Sequence, residues 1–503
     1  MNKKIIDAMS DIDFDYVEDA RPRGRRRFGV ITVAAAAVLA LALGLGTVAR
    51  MMIKPRSGDK AEENKQAYLS EGATAKPTES VEINGGNETV DGAPQSGSSL
   101  GSYFVTAPID TFTGGTYGSN DGMDEYTLSL VEEMRSDAAS RLPDMSGFTE
   151  SLITELLKNR EGMNTICSPV SAYLSLMMLA DISEGEAREK LMSCLKAADE
   201  EQLRKEASDL LYVEIGDSGI MQNTLLNSLW LNDDYKYDNG TIVRFARIYN
   251  AFLYKGSPED GGYLNYMRNW LAMNDADASA KNEDFPPQME LKTLSVAASN
   301  GAWARGFDKA FKGIFHAPNG NIECDMMEKS VQDVQVYRGS GFTAVADDLL
   351  GYNAEHVPAS LWLLLPDEGV SVEQMLRDGG LEFICSDMSG VERSNITLTA
   401  PKLDLEYEYD LTEIMEGLGV SISDMEISGI VVDKAHLTEA VQTATFKTDE
   451  NGLGSPAAVA SVKADANAPT AYGVTLDRPF AFALTGISGT PLLFGVVNYP
   501  GGN

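Results

Sequence analysis

Helix-spaced apolar residues fill the first half of this chain's globular part, strand-like runs fill its second half, and no internal repeat links the two. That order predicts an α+β fold with large sheets. The 503 residues are 43% apolar, an ordinary globular share, and the length allows one large domain with additions.

The additions come first. Phe28 to Ala49, FGVITVAAAAVLALALGLGTVA, is an uncharged apolar run of about the length that spans a bilayer as a helix. Before it stand Arg21, Arg23, Arg25, Arg26 and Arg27, which hold that end in the cytoplasm. From Met51 to about Met123 the chain is rich in Gly, Ser, Thr, Asn and Glu, with too little apolar surface to offset the cost of ordering. The reading is a cytoplasmic segment 1–27, a transmembrane helix 28–49, a flexible extracellular tether 50–123 and a folded domain 124–503. The alternative is a cleaved signal peptide ending before Arg50, hence a secreted protein.

Within the domain, FTESLITELLKNR (Phe148 to Arg160) has apolar residues at helical spacing, and SAYLSLMMLADI is a nearly all-apolar, buried helix. Strand-like runs follow in ASLWLLLP (Ala359 to Pro366), NITLTAPKLDLEYEY (Asn395 to Tyr409) and RPFAFAL to TPLLFGVVNYP near the end.

Several function classes are set aside. A net charge of −34 lacks the basic footprint a nucleic acid needs. Cys167, Cys194, Cys324 and Cys385 include no CxxC pair, so no zinc site is expected; they read as buried thiols, with one disulfide left open. The three histidines, His316, His356 and His436, stand in no triad-like setting. GDSG at Gly216 to Gly219 lacks the company of a protease nucleophile, and NDADAS at Asn274 to Ser279 lacks the glycine and glutamate of a calcium loop. No enzyme, metal or cofactor is expected.

Segments in a fixed order carry a family resemblance. NTICSPVSAYLSLMMLADISEGEAREKLMSCL, NSLWLNDD, VAASNGAWARGFDKAF, ASLWLLLPDE, APKLDLEYEYDLTEIMEGLGV and RPFAFALTGISGTPLLFGVVNYP resemble, in sequence, the conserved stretches of the serpin family from about Phe148 to Pro500. The resemblance implies three β-sheets, eight or nine helices and an exposed reactive-centre loop. It implies a monomeric suicide inhibitor of an extracellular serine protease: the loop is cleaved as substrate, inserts as a central strand, and carries the covalently acylated protease with it. The alternative is a tethered, non-inhibitory member with a binding or structural role. A bacterial protein anchored in the cell membrane fits the N-terminal signals.

The same resemblance assigns residues. GSPAAVAS resembles the family hinge GTEAAAAT, so Glu450, Gly452, Gly454, Ser455, Pro456, Ala457, Ala458, Val459, Ala460 and Ser461 form the expected hinge. Small side chains suit a segment that is first a loop and then a buried strand. Ser455, Ala457, Val459 and Ser461 would share one face. Pro456 stands where the family has glutamate, and a proline removes a ladder donor from a central strand. Asn164, Ser168 and Ser171 match the shutter beneath the opening sheet, with Gln442 in place of the usual histidine and Ser295 in place of an asparagine; Trp303 matches the breach tryptophan. Counting from Glu450 and Gly452 puts the scissile bond at Ala466-Asn467. Counting from Gly454 and Ser455 puts it at Ala468-Pro469, where proline fits protease sites poorly. Either choice offers alanine to the primary pocket and points to an elastase-like or subtilisin-like target. Lys463 lies too close to the hinge for a full-length inserted strand.

Overall fold

The computed structural model describes residues 103–107, 135–215, 221–286, 288–350, 359–386, 388, 390–421, 425–432, 434–454, 472–486 and 489–501. The apolar run 28–49 lies outside them, as do Ser455, Pro456, Ala457, Ala458, Val459, Ala460, Ser461, Ala466, Asn467, Ala468 and Pro469. Among the described residues no helix is long and apolar enough to cross a membrane.

Two ladders organise the strands. The large sheet has eight strands, in the order β1 (Phe104–Thr106), β4 (Ala251–Gly256), β3 (Met221–Asn232), β5 (Leu291–Ala302), β14 (Gly452–Leu453), β13 (Ala435–Thr448) and β11 (Leu403–Asp410), with β12 (Glu426–Ile427) on β13. The second has nine: β15 (Tyr472–Thr475), β10 (Glu392–Pro401), β7 (Gly320–Gly339), β8 (Phe342–Asp348), β9 (Ser360–Pro366), β16 (Phe480–Thr485), β17 (Pro491–Val497) and β2 (Thr165–Cys167), with β6 (Lys309–Ala317) on β7. Three sheets were expected; the two smaller ones run on as one ladder because the 20-residue β7 belongs to both halves. The large sheet also draws β3, β4 and β5 from the half where helices were expected to dominate.

The helices cover these sheets. α1 (Ser146–Leu157) buries Phe148, Leu152, Ile153 and Leu156, the face that its sequence spacing predicts. α2 (Pro169–Ile182) is buried at all 14 positions. It starts cleanly because Ser168 caps it and Pro169 occupies the first turn, where no N–H is needed. α3 (Gly185–Cys194), α4 (Glu200–Glu214) and α5 (Asn239–Ile248) follow. α6 (Gly261–Met273) crosses the opposite face of the large sheet, placing Tyr263, Met267 and Trp270 in one apolar cluster with Trp230, Leu294, Val296 and Val441. α7 (Ser279–Asn282) lies in the link from α6 to β5. α8 (Val372–Met375) and α9 (Leu381–Cys385) are joined by a π-helical turn, and α10 is Leu411–Gly417. Between the sheets Phe446 stacks on Phe482 with ring centroids 4.0 Å apart.

The stretch read as tether contributes β1, which pairs with edge strand β4. The local sequence Tyr103-Phe104-Val105 is one of its few large apolar groups, and it finds partners: Tyr103 rests on Tyr263 at 5.3 Å and Phe104 on Tyr254 at 6.0 Å. All four cysteines are free thiols. Burial pushes the Cys385 thiol up to about 12 and the Cys167 thiol higher still, which leaves them protonated and inert.

Candidate functional site

The parallel pair β5 and β13 forms a seam through the middle of the large sheet. From Leu437↔Leu291 to Ala444↔Ala297 the two strands bond directly. Above that point they part, and β14 stands between them, antiparallel to both: Gly452 faces Ala302, Leu453 faces Gly301, and Thr448 faces Leu453. Leu453 is completely buried, a gain of roughly 2 kcal/mol over exposure.

A tight turn delivers β14 to that slot. Asp449 N–H donates to Gly452 O at 3.0 Å, while its carboxylate Oδ1 accepts from Asn451 N at 2.7 Å and Gly452 N at 3.1 Å. Two glycines make it possible. A Cβ on Gly452 would stand 1.9 Å from the carbonyl oxygen of Gly301. Gly454 has φ +64, and a Cβ there would meet Asn300 Oδ1 at 1.9 Å. Glu450 pairs with Lys402 at 2.7 Å, which holds its carboxyl below the usual range.

Trp303, 1% exposed, clamps the turn from one side. Its Nε1–H donates to Asp449 O at 2.9 Å, its backbone N–H to Asn451 O at 2.9 Å, and Phe307 N–H to Glu450 O at 2.9 Å. Beneath it Lys329, fully buried, bonds Asp347 at 2.6 Å and Arg305 O at 2.8 Å, and lies 5.0 Å from the Trp303 ring centre and 4.4 Å from that of Phe307. Burial pulls the Lys329 pKa down and pushes that of Asp347 up.

Below the parting, Gln442 of β13 faces Ser295 of β5 and points into the core, wholly buried. Its Oε1 accepts from Ser168 N–H at 2.8 Å and from the Tyr409 hydroxyl. A backbone N–H can only donate, which fixes the amide with oxygen toward Ser168 and leaves Nε2 without a partner. Ser168 Oγ meanwhile accepts from Ser171 N at 3.1 Å. One residue thus ties the start of α2 to the seam. Asn164 does a different job: Oδ1 accepts from Asn498 N at 2.7 Å and Tyr499 N at 2.9 Å, and Nδ2 donates to Tyr499 O at 2.7 Å.

The structure therefore gathers Glu450, Gly452, Gly454 and Trp303 at the upper end of the seam, and Ser168, Ser171 and Gln442 beneath its middle. Sequence reasoning passed over Leu453, Asp449, Lys402, Lys329, Asp347 and Tyr409. Leu453 carried a signal: one bulky apolar residue between two glycines is costly in a solvated loop and sensible in a slot. The others are separated in sequence from what they touch. Among the described residues no group of three or more His, Cys, Asp or Glu side chains stands where it could hold a metal ion.

Comparison with known proteins agrees with this geometry. A family model, serpin (serine protease inhibitor), matches residues 144–500. Antichymotrypsin-2 of Bombyx mori is 23% identical over 380 residues, 69% of this chain and 95% of the relative. The native-state crystal structure of tengpin, a thermophilic serpin, superposes with a TM-score of 0.62 at 19% identity, over 76% of this chain and 96% of that one. A complex of thyroxine-binding globulin with thyroxine superposes with a TM-score of 0.61 at 16% identity, over 71% of this chain and 99% of that one. With the family pattern covering most of the domain, and the same three-dimensional arrangement found in its solved members, the chain belongs to the serpin family of serine protease inhibitors.

Proposed function

We propose that this serpin is an extracytoplasmic suicide inhibitor of an elastase-like or subtilisin-like serine protease, held at the outer face of a bacterial cell membrane by residues 28–49. The observation that carries the inhibitory reading is β14. Gly452 of the expected hinge and its neighbour Leu453 already occupy the slot between β5 and β13, so the large sheet accepts a central strand at that place.

The register of β14 supports one of the two scissile bonds. Glu450 bonded to Lys402 and Gly452 inside the sheet favour counting from those residues, which puts cleavage at Ala466-Asn467. A strand continuing the same register would carry Ser455, Ala457, Val459 and Ser461 on the core face with Leu453. Val459 would then arrive between Ser295 and Gln442, and Pro456 between Ala298 and Thr445.

In the reaction the protease acylates itself on the Ala466 carbonyl and releases the amine of Asn467. The freed loop then zips downward from Leu453, and its insertion displaces the ester from the geometry that deacylation needs. This chain contributes no catalytic group; it contributes a bond to be cut and a sheet that opens.

The test is a denaturing gel. An elastase-like protease mixed with the full chain should give a complex that survives boiling in detergent, and the C-terminal peptide released from it should begin at Asn467. A peptide beginning at Pro469 would select the second register, and one at Ala464 would overturn both. Pro456 favours a second reading, a non-inhibitory tethered binding or structural serpin, by weakening the inserted ladder. Cleavage in the loop with no trapped complex would support that reading.

A further inference from the structure

The lower end of the seam is closed by charge. Lys292 of β5 and Glu439 of β13 are register partners on the α6 side of the sheet, and their side chains meet at 2.7 Å. Lys292 is 1% exposed and uses its other two donors on the link between α6 and β5: Glu283 and, at 2.8 Å, the carbonyl of Asp284. Every donor of the ammonium is spoken for, and one of the three bonds crosses the seam.

A strand continuing the β14 register would bring Val462 opposite both Lys292 and Glu439. A strand placed there moves β5 and β13 from about 4.8 Å to about 9.6 Å apart. We propose that Lys292 and Glu439 are the specificity-determining closure of this seam, the last bond the inserting strand must part, and that its strength divides cleaved molecules between full insertion and release. The proposal rests on the inhibitory reading above.

The surroundings make this closure sensitive to pH. Facing it are Glu283 on the link, Glu439 on β13, and Glu406 and Glu408 on β11; Arg268 of α6 donates to the Glu283 carbonyl, not to its carboxylate. Ser279 at the start of α7 donates its backbone N–H to the Glu406 carboxylate of β11, and its hydroxyl accepts from that of Thr443 of β13 at 3.1 Å, so the link is strapped to β11 and β13. Burial holds the Glu283 carboxyl up, at about 7, with Glu408 and Glu439 adding to the effect of burial and Lys292 opposing it. When Glu283 is ionised, Lys292 keeps a charged partner after Glu439 has left, and Glu283 repels Glu439. When Glu283 is protonated, parting leaves Lys292 bonded to no charged partner. Opening is therefore easier above pH 7 and harder below it.

Synthetic peptides test this without any protease. The peptide of residues 454–463, GSPAAVASVK, spans the remaining slot to Lys463; that of 454–460, GSPAAVA, stops short of the ion pair. Each is incubated with the full chain, and uptake is followed by the rise in unfolding temperature. Glu439→Gln should take up the longer peptide about tenfold faster than wild type, the rate ratio of roughly 1.4 kcal/mol. Uptake of the shorter peptide should be equal in the two proteins. Glu283→Gln should slow the longer peptide and abolish the rise in its rate between pH 6 and pH 8. Circular dichroism confirms that each variant is folded. Equal rates for the longer peptide in all three proteins overturn the closure and leave the inhibitory reading standing. Failure of wild type to take up either peptide overturns both.

Discussion

The two ends of the central seam solve opposite problems. At the top, glycines, a buried leucine and a tryptophan clamp hold β5 and β13 apart. At the bottom, a direct ladder and a buried ammonium hold them together. The top uses steric fit, which tolerates no added atom; the bottom uses charge, which responds to pH. Under the proposed inhibitory reading, a strand entering at the top by shape would finish at the bottom against electrostatics, so starting and completing insertion would be under separate physical control.

The comparison breaks most visibly at Gly452. Gly452→Val places a side chain on the Gly301 carbonyl, where a Cβ would stand 1.9 Å away. The hinge should leave the slot; the lost burial of Leu453 and the cavity left behind together cost about 3–4 kcal/mol. Hydrogen exchange at Leu453 and Gly454 should lose its protection while the lower ladder keeps its own. Full retention of that protection would mean that β14 is not held by close approach.

The lower end is tested by pH. The folded pKa of Glu283 is raised to about 7 from 4.5, so its contribution to stability is complete below about 4.5 and is lost as pH rises through 7. Wild type should fall relative to Glu283→Gln by on the order of 3 kcal/mol between pH 4.5 and pH 8. Urea unfolding of the pair across that window checks the sign; parallel curves would remove Glu283 from the account.

Between the ends sits Gln442. Gln442→Leu deprives Ser168 N–H and the Tyr409 hydroxyl of their acceptor in a dry site, at about 2 kcal/mol. Thermal unfolding should report that loss, and the variant should be indifferent to the pH window that governs Glu283. The smallest effect belongs to Lys402→Gln. Both partners of the Glu450 pair are about one-third exposed, so its loss should cost less than about 1 kcal/mol and loosen exchange only at the hinge turn.

How much of this was legible in the sequence differs along the same seam. The buried helix α2 was plain because an apolar run has one solution, burial on every side. The strands β9, β10, β11, β16 and β17 announced themselves as short apolar or alternating runs. Gln442 and Trp303 were located only through resemblance, Gln442 by its distance from Glu450 and Trp303 within the segment VAASNGAWARGFDKAF. β1 was hidden because three residues in a polar stretch carry no period, and they pair only because β4 presents an open edge. The 20-residue β7 was missed because its burial alternates irregularly as it passes from one set of partners to another.

The sequence by itself determined the apolar run at the N-terminus, the buried helix α2, the strand runs near the C-terminus, the family pattern and the small residues of the hinge, because each is written in neighbouring positions. Only the tertiary structure decided that Leu453 is already inside the sheet, that Lys402 holds Glu450, and that Lys292 is shared between Glu283 and Glu439. The physical reason is separation along the chain. Glu450 and Lys402 are 48 positions apart, Lys292 and Glu439 are 147, and a charge has no local sign of which distant partner will neutralise it once folding has removed the water between them.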